Sequence, residues 1–437
     1  MRMKDLLDRK GEELMFSEIE IPVSDFVSAI SYAIDLSVPA LNNHHQKVAY
    51  IAWRFAQEMG LMHNTVQDIV LAAKLHDIGA FSSKELTDMQ SFEAEGFGQS
   101  SHTLLGYKLL KDFKPLSKAA QLIRHHHTLY SRTQNNIPLG SYIIFLADRV
   151  AILFENQKEV LGHSQEIISR ITEKRAAFHP IVFSAFERLA QREYFWVEAS
   201  NPSLCDFEVK KAKPSAEILD IKTFHSYARL LAQIIDFRSS FTATHSSGVA
   251  AVASELARIA GFSEYDSNLM EIAGFLHDLG KLTVPNEILE KNSALSEEEF
   301  NSIRKHTYYT YVIINSIRGL EGVAKLAAYH HERQNGCGYP FHVDDEEFST
   351  LPQIMAVADI MTALSESRPY RPGMNRKQTM AVLYDVAEKG GLNKSLVEMA
   401  HEEYPRINYT RIKAQQRAQH EYLAFYNLEL MDDDGDD

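Results

Sequence analysis

Apolar residues recur at steps of three and four along most of this chain. In HSSGVAAVASELARIAGF, Val249, Val252, Leu256 and Ile259 line the stripe that starts at His245. That is the spacing of one face of an α-helix. Ser296-Glu297-Glu298-Glu299 reads as a capping box that opens another helix. Alternating apolar and polar positions, the mark of half-buried strands, are scarce. The pattern predicts an all-α protein.

The helical pattern occurs twice, with the same chemistry on it. One stretch reads HHQKVAYIAWRFAQEMGL and then LAAKLHDIGAF; the other reads HSSGVAAVASELARIAGF and then IAGFLHDLGKL. His44 precedes His76 by 32 residues, and His245 precedes His277 by the same 32. An aspartate follows each second histidine, Asp77 or Asp278. His102 and His306 come next. A His-His pair follows 24 residues after each, at His126-His127 and His330-His331. Each half closes with an aspartate inside an apolar stretch, Asp148 in IIFLADRV and Asp359 in IMAVADIM. This is an internal repeat at the scale of a domain. It predicts two helical-bundle domains in tandem, residues 1–205 and 206–425, with an acidic tail at 426–437. The junction falls in NPSLCDFEVKKAKPSAE, which is rich in Pro, Ser and Lys and has no clear periodicity. Residues 151–200 read as helical and fit either domain; a boundary at 205/206 assigns them to the first.

Composition narrows the partners. The 437 residues carry 45 Lys and Arg against 59 Asp and Glu, a formal net charge of −14. That argues against a general binder of DNA or RNA or of anionic membranes. An anionic small ligand would need a local positive centre, which a metal cluster supplies. Cys205 and Cys337 are the only cysteines and lie far apart. No disulfide framework is implied, and a reducing cytoplasm is the expected compartment. No apolar run is long enough to span a bilayer. The first residues, MRMKDLLDRKGEELMF, lack the apolar centre of a secretion signal. A homo-oligomer is compatible with all of this.

Imidazole nitrogen and carboxylate oxygen are favoured ligands of catalytic divalent metals. The second half offers His245, His277, Asp278, His306, His330, His331 and Asp359. Seven donors are too many for one tetrahedral site and suit two octahedral ones. An aspartate beside a histidine can bridge two ions. Two ions about 3.5–4 Å apart can hold a hydroxide and clamp the attacking and leaving oxygens of a phosphate. Lys281 follows Asp278 by three residues, so on a continuing turn it points to the same side. A cation there could neutralise a phosphate oxygen or help protonate the leaving oxygen.

At these residues the chain resembles the HD superfamily of metal-dependent phosphohydrolases. The second half resembles its HD-GYP branch through HDLGK at 277–281, HHERQNGCGYP at 330–340 and ADIMTALSESRPYR at 358–371. The first half resembles a plain HD domain. The resemblance implies metal-dependent hydrolysis of bacterial 3′,3′-cyclic dinucleotides, c-di-GMP or 3′,3′-cGAMP, to the linear dinucleotide. With two HD domains the chain is similar to the Vibrio-type 3′,3′-cGAMP phosphodiesterases. It also implies a bundle of helices with iron or manganese commonly in the site. With the donor count above, two divalent ions are expected, iron or manganese first and other divalent metals as alternatives. The two histidines of the loop would be ligands. Gly336 and Gly338 would let the backbone turn beside them. Tyr339 and Pro340 would stiffen that turn, and Arg333 would bind phosphate or support a ligand carboxylate. Gly338, Tyr339, Pro340 and Arg333 thus become expected substrate contacts. Arg368 and Arg371 could hold the second phosphate.

Departures from the family pattern qualify these expectations. Asn335 and Thr362 stand where many relatives have aspartate, which puts loop rigidity and ligand support in question. Phe241 stands where a few relatives place a glutamate for a third metal, so two metals are expected. Cys337 reads as filler in a tight turn. The first half keeps His44, His76, Asp77, His102, His126, His127 and Asp148 as candidate ligands. Yet Ala80 replaces Lys281, and TLYSRTQNN follows its His-His pair without Gly-Tyr-Pro. Its expected role is regulatory or structural, with a second hydrolase and a scaffold with unmetallated histidines as the alternatives. Its pair is either His126-His127 or His125-His126. Two rival readings of the whole chain are a sensor that binds cyclic dinucleotide and acts through a partner, and an HD nucleotidase acting on mononucleotides.

Overall fold

The computed structural model describes residues 19–37, 43–80, 101–132, 136–154, 159–212, 217–237, 244–343, 348–367 and 372–432. Arg368, Arg371 and Phe241 lie outside the described residues. Most of the described residues are helical, and the principal helices of the two halves follow the same order. In the first half the helices are Val23–Ser37, His44–Glu58, His63–Leu75, Ser101–Leu110, Ser117–Arg124 and Leu139–Phe154. In the second they are Ile221–Phe237, His245–Ile259, Glu264–Leu276, Glu297–Asn315, Glu321–Ala328 and Thr350–Ser365. Each half then adds its own helices. Val160–Glu173, Pro180–Ala190, Glu193–Ser200 and Pro202–Val209 follow the first set. Arg376–Glu388, Lys394–Glu402 and Tyr404–Asp432 follow the second.

Local sequence explains the element ends. Ser263 and Ser296 each form a capping box, with Asp266 and Glu299. The backbone donors left unpaired at those helix starts are satisfied by side chains. On the helix His245–Ile259, Val249, Val252 and Leu256 are buried, and Ile259 packs partly exposed against the core. The stripe read from the sequence is therefore the core face. Helix Pro202–Val209 starts with a proline whose missing N–H costs nothing there, capped by Asn201. It runs across the 205/206 boundary, buries Cys205 and packs on the helix His44–Glu58. Its residues therefore sit with the first half. The helix Tyr404–Asp432 likewise runs past 426, into the segment read as an acidic tail.

The halves meet around two short strands, each just before the first helix of its half. Ile21–Pro22 pairs antiparallel with Ile218–Leu219. Behind the strands Phe26 meets Phe224 and Tyr227 edge-on, with centroids 5.7 and 5.1 Å away. Phe113 of the first half packs on Tyr227 at 4.2 Å. Asp25 receives the Arg318 guanidinium at 2.6 Å. Buried aromatics, not the ion pair at the rim, dominate such a junction. Among the described residues no helix is long and apolar enough to cross a membrane.

Candidate metal centre

Five separate elements bring the seven donors of the second half together. His245 opens its helix, and His277 and Asp278 follow directly on the end of Glu264–Leu276. His306 lies inside Glu297–Asn315, His330 and His331 form a 3₁₀ turn, and Asp359 lies inside Thr350–Ser365. Asp278 sits at the middle. Its Oδ2 is 3.2 Å from His277 Nε2, and its Oδ1 is 3.4 Å from His306 Nε2. His330 Nε2 is 3.2 Å from His306 Nε2. Asp359 Oδ1 is 3.4 Å from His245 Nε2, and its Oδ2 is 3.9 Å from His331 Nδ1. A glycine two residues past the aspartate allows this approach. A Cβ on Gly280 would meet the His306 carbonyl oxygen at 1.9 Å, and one on Gly79 would meet that of His102 at 2.2 Å.

The outer sides of the rings fix which nitrogen faces the centre. Nδ1 of His277, His306 and His330 lies 2.8, 2.6 and 2.7 Å from the carbonyl oxygens of Gly274, Ile303 and Ala327. A carbonyl only accepts, so Nδ1 carries the proton and the Nε2 lone pair faces inward. This is the arrangement of metal-ligating histidine. Burial pushes His306 down to about 4 and His331 down to about 3, so both are neutral ligands near pH 7. Burial alone would raise Asp278, but His277 and Lys281 outweigh it and hold the carboxyl well below its usual range. Asp359 is held down in the same sense by its bond to His245.

Lys281 lies on the turn Leu279–Thr283, and its Nζ is 2.6 Å from Asp278 Oδ2. Its side chain is 24% exposed, as is that of His331. The second-half site is therefore open on the side of these two residues. The loop after His331 is pinned at several points. Gly338 has no room for a side chain, since a Cβ would lie 2.4 Å from Glu332 Cα. Gly336 has φ +70°, which favours glycine. Asn335 accepts from the Cys337 backbone N–H and donates to the Lys389 carbonyl. It thus supplies the rigidity that the absent aspartate put in question. Arg333 donates to the carbonyls of His330 and Glu332 and so clamps the ligand turn. Tyr339 lies against the His331 ring at 4.9 Å, next to Pro340, and the Arg304 guanidinium lies over the Tyr339 ring at 4.9 Å.

Sequence reasoning missed the brace on His245. Glu366 Oε2 is 3.0 Å from His245 Nδ1, and Gln415 of the last helix donates to Glu366. Glu366 follows Asp359 by seven residues, two helical turns, and that spacing was a readable signal. Gln415 is too distant in sequence to be found that way. Burial opposes a charge on His245, but Glu366 and Asp359 outweigh it and raise it to about 10. Below that pH an incoming ion must displace a proton, so metal affinity is expected to rise with pH. Glu366→Gln is expected to weaken metal binding about 10–100-fold, the usual cost of losing such a partner. It should also reduce the protons released on metal uptake. A metal titration in weak buffer reads both quantities.

The first half repeats the geometry. His44 Nε2 is 3.0 Å from Asp148 Oδ1, and His76 Nε2 is 3.1 Å from Asp77 Oδ2. His102 and His126 lie 3.5 and 3.7 Å from Asp77 Oδ1, and His127 joins them in one donor group. His76 and His126 also turn Nδ1 to carbonyls of their own helices. The Nε2 atoms of His45 and His76 and the Oδ1 atom of Asp77 are buried without a hydrogen-bond partner. The short His76–Asp77 separation is proximity without hydrogen-bond alignment. Buried polar atoms aimed at a common point are costly unless something binds there. The donor sets of both halves fit divalent metal ions.

Models of the HD domain match residues 42–153 and residues 229–391. The chain belongs to the HD superfamily, with two HD domains in tandem. It is 28% identical to 3′3′-cGAMP-specific phosphodiesterase 1 of Vibrio cholerae over 82% of this chain and 86% of that protein. It is 32% identical to 3′3′-cGAMP-specific phosphodiesterase 3 of the same organism, over 56% of this chain and about half, 53%, of that relative. Cyclic di-GMP phosphodiesterase response regulator RpfG of Xanthomonas campestris is 34% identical over 37% of this chain and 43% of its own length. The crystal structure of the V. cholerae cyclic GMP-AMP specific phosphodiesterase V-cGAP3 superposes with a TM-score of 0.62. The match covers 87% of this HD protein and 97% of that chain at 22% identity, and it shows a shared fold.

Proposed function

We propose that this chain is a metal-dependent phosphodiesterase that opens bacterial 3′,3′-cyclic dinucleotides, 3′,3′-cGAMP or c-di-GMP, to the linear dinucleotide. Its second half does the chemistry. The observation that carries this reading is the donor set around Asp278: seven converging ligands, a lysine on the same carboxylate, and one open side. Relatives that are cyclic dinucleotide phosphodiesterases supply the substrate class. His245, His277, Asp278, His306, His330, His331 and Asp359 would hold two divalent ions, iron or manganese. Such ions activate water and screen phosphate charge when bound. Asp278 sits between the two groups of histidines and is placed to serve both. Lys281 stands at the open edge, where a scissile phosphate would arrive, and can supply charge or a proton to the leaving oxygen. Arg333 and the Gly338-Tyr339-Pro340 segment keep the His330-His331 turn in place and wall the entry. Arg304, over Tyr339, adds a cation to that wall.

The test is hydrolysis by the full, metal-loaded chain of 3′,3′-cGAMP, c-di-GMP and simple mononucleotides, followed by chromatography. The expected result is a linear dinucleotide from at least one cyclic substrate, and loss of it with chelator. Turnover of mononucleotides alone would make the chain a nucleotidase. Tight binding of a cyclic dinucleotide without turnover in any divalent metal would make it a sensor.

A further inference from the structure

The two halves differ at one buried position beside the donors. His45 in the first half corresponds to Ser246 in the second, each directly after the first histidine of its half. An aspartate ten residues earlier holds each of them. In the second half Asp236 Oδ1 accepts from the Ser246 hydroxyl at 2.8 Å. In the first, Asp35 Oδ1 lies 2.6 Å from His45 Nδ1 and also accepts from the His45 backbone N–H. The Asp35 bond places the proton on Nδ1 and turns the Nε2 lone pair inward. That atom is 3.8 Å from Asp77 Oδ2, fully buried, and has no hydrogen-bond partner. The His45 ring lies near those of His44 and His76, with centroid-to-centroid separations of 5.6 and 4.8 Å.

We propose that His45, oriented by Asp35, is a fifth protein donor to the ion that His44, His76, Asp77 and Asp148 would hold, and that the first half thereby carries a retained, structural metal. Ligand atoms about 2.1 Å from one octahedral ion lie about 3.0 Å apart when adjacent and about 4.2 Å apart when opposite. The separations His44–Asp148, His76–Asp77, His45–Asp77 and His76–Asp148 are 3.0, 3.1, 3.8 and 3.9 Å. The matching group in the second half is His245, His277, Asp278 and Asp359, with a serine hydroxyl in place of the imidazole. An ion that does chemistry keeps coordination positions open. A six-coordinate ion with four protein ligands keeps two, and one with five keeps a single position. The same half has Ala80 where the other has Lys281. More grip on the ion and no cation for a phosphate point the same way.

The experiment is chelator release from the full chain loaded with Mn²⁺, followed by metal content per chain over time in excess EDTA. The expected result is two phases, with the slow one abolished by Asp77→Asn. His45→Ser, the residue found natively beside Asp236, is expected to speed the slow phase at least about tenfold, the lower end of what losing a supporting group costs. His45→Gln keeps the bulk of the side chain and serves if the serine variant does not fold, as judged by circular dichroism. Asp35→Asn should shift the phase in the same direction. A slow phase unchanged in the folded His45 variants overturns the proposal, and so does a single fast phase in the wild-type chain. The readout is metal alone, so it stands or falls separately from the choice of phosphodiester substrate.

Discussion

Asp278→Ala in the full chain is expected to abolish hydrolysis of the cyclic dinucleotide and to lower bound metal. Asp278 Oδ2 and Oδ1 face different histidines, His277 and His306, so one carboxylate links both parts of the donor set. Removing an outer partner of a metal ligand typically costs about 10–100-fold in affinity or activity. Removing a carboxylate that serves both ions is expected to cost more than about 100-fold in turnover. His277→Ala should act in the same direction. Both rings and carboxylate are buried, so circular dichroism must accompany the assay. Near-normal turnover with full metal content in either folded variant would show that the reaction is not centred there.

Much of this architecture was legible in the sequence because metal donors on helices need fixed spacings. The 32-residue interval from His44 to His76, matched by His245 to His277, is one helix, a turn and a second helix packed side by side. Such an interval cannot drift without pulling the imidazoles apart. The 24 residues from His306 to His330 likewise span the end of one helix and all of the next. Lys281 was legible for the same reason: a short turn three residues past Asp278 returns the chain to the same side.

The parts that escaped are those that depend on tertiary encounter. Gln415 reaches Glu366 from a helix 49 residues away, and no local period announces it. His45 carried no role in the sequence, since only the fold shows Asp35 behind it and Asp77 ahead. Arg333 was expected to bind phosphate or support a ligand carboxylate; its bond to the carbonyl of His330, three residues earlier, was not part of that reading. The junction was read from Pro, Ser and Lys content. Helix Pro202–Val209 forms through that composition because a proline is welcome at a helix start and Asn201 caps it. The two short strands that join the halves are two residues each, far too brief for an alternating pattern to appear.

Lys281→Ala is expected to reduce turnover at least about tenfold while leaving the metal bound. General acid assistance by one positioned group is worth about 100–10,000-fold, and tenfold is a floor if the ions themselves take part of that load. The lysine now lies 2.6 Å from Asp278 Oδ2, an oxygen that also faces His277. Two roles are physically distinct from this position. If Lys281 meets the phosphate, the change falls on kcat and on its pH dependence, metal content stays full, and Lys281→Arg restores charge but not proton donation, since a guanidinium does not give up its proton near neutral pH. If Lys281 only holds Asp278 in place, metal affinity falls in the alanine variant and arginine restores it. Metal content measured beside kcat and KM for both variants separates the two. A loss of metal without a loss of rate at saturating metal would remove Lys281 from the chemistry. The first half offers an internal control, since Ala80 occupies the same place beside Asp77 and that site is expected to keep its ion without turning over substrate.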